Sequence, residues 1–143
     1  MGTWPKYATI MYLIDTSVWI RHFSERDSFE VGSVCPAHER LLCLPVYQEI
    51  LQGFRDPGHY RTLKEILDCA VFLEDPMTRS VYVEAAELYR SARRRGLTIR
   101  SAVDCQIAAC AIRHNVTVLH SDRDYSSLAR VSELRERNIH PVS

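Results

Sequence analysis

Residues 12–19 read Tyr12-Leu13-Ile14-Asp15-Thr16-Ser17-Val18-Trp19, and the change of character at Asp15 decides the fold. Three apolar residues without polar alternation suit a strand covered on both faces, as in a parallel sheet held between helix layers. The run stops at a carboxylate. Thr16 and Ser17 are good N-caps for a helix carrying Val18, Trp19, Ile20 and Phe23. Eight residues thus hold a buried strand, a polar corner and the start of a helix.

The pattern returns along the chain. Residues 24–36 collect Ser, Asp, Gly and Pro and read as loop. Residues 41–44 are a second apolar run, and Pro45 sits where a first helical residue could. Val46, Tyr47, Ile50, Leu51 and Phe54 then recur at helical spacing until Asp56-Pro57-Gly58 breaks it. Tyr60, Leu63 and Leu67 mark a further helix, and residues 70–73 a short strand. The clearest helix is predicted over 78–95, with Val81, Tyr82, Ala85, Leu88, Tyr89 and Ala92 in one stripe and Gly96 as its stop. Another begins near Ser101 and carries Ile107, Ala108, Ala111 and Ile112. A buried-type strand is expected at 116–119, a short helix beginning at 126–129, and an edge strand at 138–142, where Pro141 is tolerated. Strands alternating with helices mean an α/β protein with a mainly parallel sheet.

The 143 residues suffice for one domain with one core. Met11 directly precedes the first strand, so residues 1–10 read as a leader or over-extended start and residues 11–143 as the domain. Eighteen acidic and eighteen basic residues cancel. A globally basic nucleic-acid binder is therefore not indicated, and contact with a polyanion needs local clustering or a bound cation. The five cysteines form no C-x-x-C pair, which suits reduced thiols in a cytoplasmic protein. No apolar run approaches membrane-spanning length.

Open parallel sheets place their sites beyond the carboxyl ends of the strands. Asp15 and Asp122 each directly follow an apolar strand run or its polar end, and face one crevice if their strands are neighbours. Asp104 shares the apolar helix face of Ile107, Ala108 and Ala111, where a carboxylate is costly unless paired or bound to a cation. Ser101-x-x-Asp104 also resembles a capping box, which accounts for Asp104 equally well. Glu49 stands between the apolar pairs Val46/Tyr47 and Ile50/Leu51, at the buried edge of its helix. Four acids in one crevice repel each other and raise their own pKa values. A hard divalent cation removes that cost, and an all-carboxylate set suits Mg²⁺ or Mn²⁺ better than zinc. Attack on a phosphodiester is the chemistry such a centre performs best.

Four segments together resemble the PIN-domain family, and in particular its VapC-like toxins: residues 12–19, 46–54, 99–109 and 119–125. The resemblance runs from Met11 to the C-terminus. It implies a three-layer α/β/α sandwich with strand order 3-2-1-4-5. It implies an acidic site at Asp15, Glu49, Asp104 and Asp122, with Asp124 as a possible fifth acid and Thr16 as an orienting residue. It further implies the toxin component of a type II toxin–antitoxin system: an endoribonuclease using Mg²⁺ or Mn²⁺ that leaves a 5′-phosphate and a 3′-hydroxyl. A homodimer and a cognate VapB-like antitoxin are the implied partners.

Arg90, Arg93, Arg94, Arg95 and Arg100 form the densest basic segment. It reads equally as a phosphate-contacting patch for RNA and as cations favouring a helix C-terminus. Trp19 and Tyr125 are expected to pack in the core or at its rim, and His114 and His120 to be structural or solvated. No Gly-rich phosphate loop is present, which excludes Rossmann and P-loop readings. A receiver-like phospho-acceptor expects paired acids at the first strand and a Lys after a late strand, and neither is found. The competing reading is a non-catalytic module of the same fold that binds RNA or a protein.

Overall fold

Five short strands lie side by side, all parallel. The computed structural model describes residues 10–23 and 29–140. The segment expected to be a leader, apart from Ile10, lies outside those residues. So do residues 24–28 of the expected loop and the positions of Pro141 and Val142. In chain order the elements are β1 (Tyr12–Ile14), α1 (Thr16–His22), β2 (Arg40–Cys43), α2 (Leu44–Gln52), α3 (Pro57–Asp68), β3 (Val71–Leu73), α4 (Arg79–Arg94), α5 (Ala102–His114), β4 (Thr117–His120), α6 (Arg123–Ala129) and β5 (Arg135–Asn138). The sheet order is β3-β2-β1-β4-β5, as the resemblance implied.

The centre of the sheet is β1. Leu13 pairs with Leu41 of β2 on one side and Val118 of β4 on the other. Strand side chains alternate between faces. Accordingly Leu13 joins the larger apolar cluster with Val118, Ala85 and Ile107, while Tyr12 and Ile14 join a smaller one with Val18, Val31 and Leu119. Helices therefore cover both faces in a three-layer sandwich. Leu13, Ile14, Leu42, Ile107 and Leu119 are fully buried or nearly so, each stabilising the fold by about 1.5–3 kcal/mol.

Several boundaries differ from expectation for identifiable reasons. Asp15, rather than Thr16 or Ser17, caps α1: its carboxylate accepts from Ser17 N. Pro45 lies within the first two positions of α2, after Leu44. Pro57 and Gly58 open α3, with Asp56 as a side-chain cap. The segment read as loop contains a 3-10 turn, Val31–Ser33, because Val31 is buried under α1. The last strand is Arg135–Asn138, three residues earlier than predicted; its four polar residues carry no apolar signal. Likewise α6 starts at Arg123, directly after the cap Asp122.

Strand order reverses between β1 and β4, since β1 leads outward to β2 and β3 and the chain then crosses back to β4 and β5. The crevice beyond the carboxyl ends of β1 and β4 is therefore the switch point at which such sheets bind ligands. The Asp15 amide donates to the Leu119 carbonyl at 2.9 Å, carrying the β1–β4 pairing into the corner itself.

Candidate active site

Four carboxylates reach this crevice from three helix starts. Asp15 caps α1 and Asp122 caps α6, while Asp104 and Asp124 lie in the first turns of α5 and α6. Helix starts supply free N–H groups and a positive dipole end, both favourable to carboxylates. Asp15 Oδ2 accepts from Ser17 N at 3.0 Å and from Ser17 Oγ at 2.6 Å. The Ser17 hydroxyl also accepts from Ser121 N at 2.9 Å, joining the corner after β1 to the corner after β4. Asp122 Oδ1 accepts from Asp124 N at 2.9 Å. Asp124 Oδ2 accepts from the amides of Arg100 and Ser101 at 3.0 and 3.2 Å.

Asp104 is held differently. Ser101 precedes α5 but makes no side-chain capping bond, so the capping-box account of Asp104 does not apply here. Its carboxylate turns inward and is 7% exposed. Its Oδ2 meets no hydrogen-bond partner among the described residues. One oxygen each from Asp104, Asp122 and Asp124 lies within 4.8 Å of the others. Burial first, then the charge of Asp15 and the adjoining Asp124 and Asp122, push the Asp104 carboxyl up to about 8. A buried carboxylate oxygen without a donor costs of order 1–3 kcal/mol or more, so Asp104 is tolerated there either as the neutral acid or as a carboxylate beside a cation.

Asp15 joins the triad through Tyr125, whose fully buried hydroxyl lies 2.6 Å from Asp15 Oδ1 and 3.3 Å from Asp104 Oδ1. Burial, then the charges of Asp15 and Asp104, hold the Tyr125 phenol well above its usual range. Glu49 stands further out. Thr16 Oγ1 donates to Glu49 Oε1 at 3.2 Å. Burial raises the Glu49 carboxyl, the Thr16 bond opposes that rise, and the charge of Asp15 adds to it. Glu49 lines two clefts, of about 310 and 320 Å³, the second shared with Thr16; none of the four aspartates lines either cleft. A separate groove of about 370 Å³ between α4 and α5 contains none of the acids.

The basic segment divides. Arg93 and Arg94 lie in the last turn of α4, as the dipole reading requires, and Arg93 sits over the Tyr89 ring. Arg90 pairs loosely with Glu87, and Arg95 donates to the Arg130 carbonyl. Arg100 instead approaches Asp122 and Asp124 at 3.6 and 3.8 Å with over half its side chain exposed. Three contributors go beyond the sequence expectation. The Tyr125 hydroxyl, the Ser17 hydroxyl and His120, whose Nδ1 accepts from Asp122 N at 3.1 Å, all serve the acids from positions that read as packing or capping. Their adjacency to Asp15, Asp122 and Asp124 is the one signal of this role that the sequence carries.

A parallel five-stranded sheet with acids gathered at its switch point defines the class, and the PIN-domain family model matches residues 12–131; the chain belongs to that family. Within it, the resemblance is to VapC ribonucleases. The chain is 36% identical over 132 residues to VapC ribonuclease Mb1587 of Mycobacterium bovis and to Ribonuclease VapC11 of Mycobacterium tuberculosis, covering 87% of this chain and 96% of each relative. The fold matches a chain of VapBC2 from Rickettsia felis, crystallised with a DNA fragment from its promoter, at a TM-score of 0.67 and 18% identity. That match covers 92% of this chain and 100% of that chain.

Proposed function

We propose that the chain is the toxin of a type II toxin–antitoxin pair, a Mg²⁺- or Mn²⁺-dependent endoribonuclease whose centre is Asp15, Glu49, Asp104 and Asp122, with Asp124 as a fifth acid. One observation carries the metal assignment: Asp104, buried among carboxylates, has an oxygen that no donor among the described residues meets. The donor set is all oxygen, which fits a hard divalent ion and not zinc. Asp104, Asp122 and Asp124 would hold it, with Asp15 and Glu49 contributing directly or through water. A bound ion supplies acidified water and neutralises phosphoryl charge.

The rest falls to the chain itself. Ser17 and Tyr125 fix Asp15, and the amides of Arg100 and Ser101 fix Asp124, so the acids need little rearrangement to act. Thr16 keeps Glu49 turned toward the crevice. The half-exposed Arg100 guanidinium stands at the rim, positioned to meet an RNA phosphate as it reaches the acids. Arg90, Arg93, Arg94 and Arg95 extend the basic surface along the end of α4. The relatives' names support RNA as substrate, and the VapBC assemblies of similar fold support a VapB-like antitoxin as partner. The groove lined by Tyr82, Ala86 and Tyr89 is an exposed apolar face suited to homodimer formation.

Purified protein should cleave RNA with Mn²⁺ or Mg²⁺ and stop on addition of EDTA. Asp104→Asn should fold and lose at least about 100-fold in rate, since even partners of metal ligands are worth about 10–100-fold. Cleavage that persists in EDTA and in this variant would reject the proposal.

A further inference from the structure

Tyr125 does more than fill the core. Its ring is fully buried, yet its hydroxyl emerges between two carboxylates contributed by different helices, 2.6 Å from Asp15 and 3.3 Å from Asp104. A phenol carries one proton and donates one bond at a time; the shorter distance assigns it chiefly to Asp15. The ring is braced in turn. His120 lies 4.8 Å from it, centroid to centroid. His120 is itself completely buried, with Nε2 against Glu136 of β5 and Nδ1 accepting the Asp122 amide. One chain of contacts therefore runs from the outer strand through His120 and Tyr125 to Asp15 and Asp104, and branches to Asp122.

We propose that Tyr125 is a positioning residue: its hydroxyl, braced by His120 and Glu136, sets the separation of Asp15 and Asp104 so that both face a shared divalent ion. This rests on the cation reading above. Groups that orient ligands in this manner are typically worth about 10–100-fold in metal affinity. A ring serving only to fill space would need no oxygen, and phenylalanine would serve equally.

Tyr125→Phe tests this, because it removes the oxygen and leaves the ring in place. Mn²⁺ affinity is read from the free-ion paramagnetic resonance signal, melting is followed in EDTA, and cleavage is measured across a Mn²⁺ titration. The expected result is a Mn²⁺ affinity weakened about tenfold, with cleavage recovering toward the wild-type rate at saturating Mn²⁺. Unchanged Mn²⁺ affinity, with or without a lowered melting point, overturns the positioning role and leaves the metal centre standing. Wild-type protein that binds no Mn²⁺ overturns the metal centre and this role together. If Tyr125→Phe does not fold, Glu136→Gln decides by loosening the same chain from outside the crevice: weakened Mn²⁺ binding supports the role and unaltered binding overturns it.

Discussion

At the scale of the residue, Asp104 has the sharpest physical signature. Its carboxyl is raised from the ordinary 3.8 to about 8, burial being the main cause. Between about pH 4 and pH 8 the folded metal-free chain holds a proton that the unfolded chain has released. Stability in EDTA should therefore decline as pH climbs through that window and level off above it. Asp104→Asn removes this slope and should be more stable than wild type at pH 8 by about 1–3 kcal/mol, the range for relieving an unmet buried polar group. Thermal melts of both proteins in EDTA at pH 5 and pH 8 measure the difference; parallel losses would show that Asp104 carries no buried charge. The acid itself is legible in the sequence, because a carboxylate on an apolar helix stripe conflicts with its surroundings. What holds it is not. A serine three residues earlier offers an equally good local account, and only the inward turn of the side chain separates the two.

Elements carry these residues to their places, and α5 does most for Asp104. Ile107, nearly one turn beyond it, is fully buried between α5 and the sheet. Ile107→Ala should cost about 2–5 kcal/mol, seen as a lowered urea midpoint with little change in slope. Strand β1 is legible because it is buried on both faces and reads as an unbroken apolar run, and β4 because Val118 and Leu119 are fully buried between Thr117 and His120. The outer strand β5 lies earlier than predicted because Arg135, Glu136, Arg137 and Asn138 are polar throughout. Tertiary pairing with β4, not local preference, makes that segment a strand. Leu63 and Leu67 announce helix α3, yet Pro57 and Gly58 read as a break in the sequence when they form its first turn. A proline is equally at home ending one helix and opening the next.

The whole molecule assembles its acids from positions 15 to 124, so the centre exists only when the sheet is complete. Sequence order cannot reveal that Asp15 and Asp122 stand at the same end of neighbouring strands; the adjacency of β1 and β4 does. The electrostatics also belong to this scale. A neutral chain presents an acidic crevice beside a basic helix end, so affinity for RNA should depend steeply on salt. Reversing Arg93 and Arg94 together to Glu should weaken binding at low salt. It should also flatten the salt dependence by about 0.7 in log–log slope for each phosphate no longer neutralised. Unchanged affinity would assign those arginines to the helix dipole alone. The outer strands have a separate consequence. The β3 rim is three residues long, and the β5 rim alternates Arg, Glu and Arg, features that discourage another chain from adding a strand. Both rims therefore disfavour strand addition, and with it fibrillar growth through the sheet.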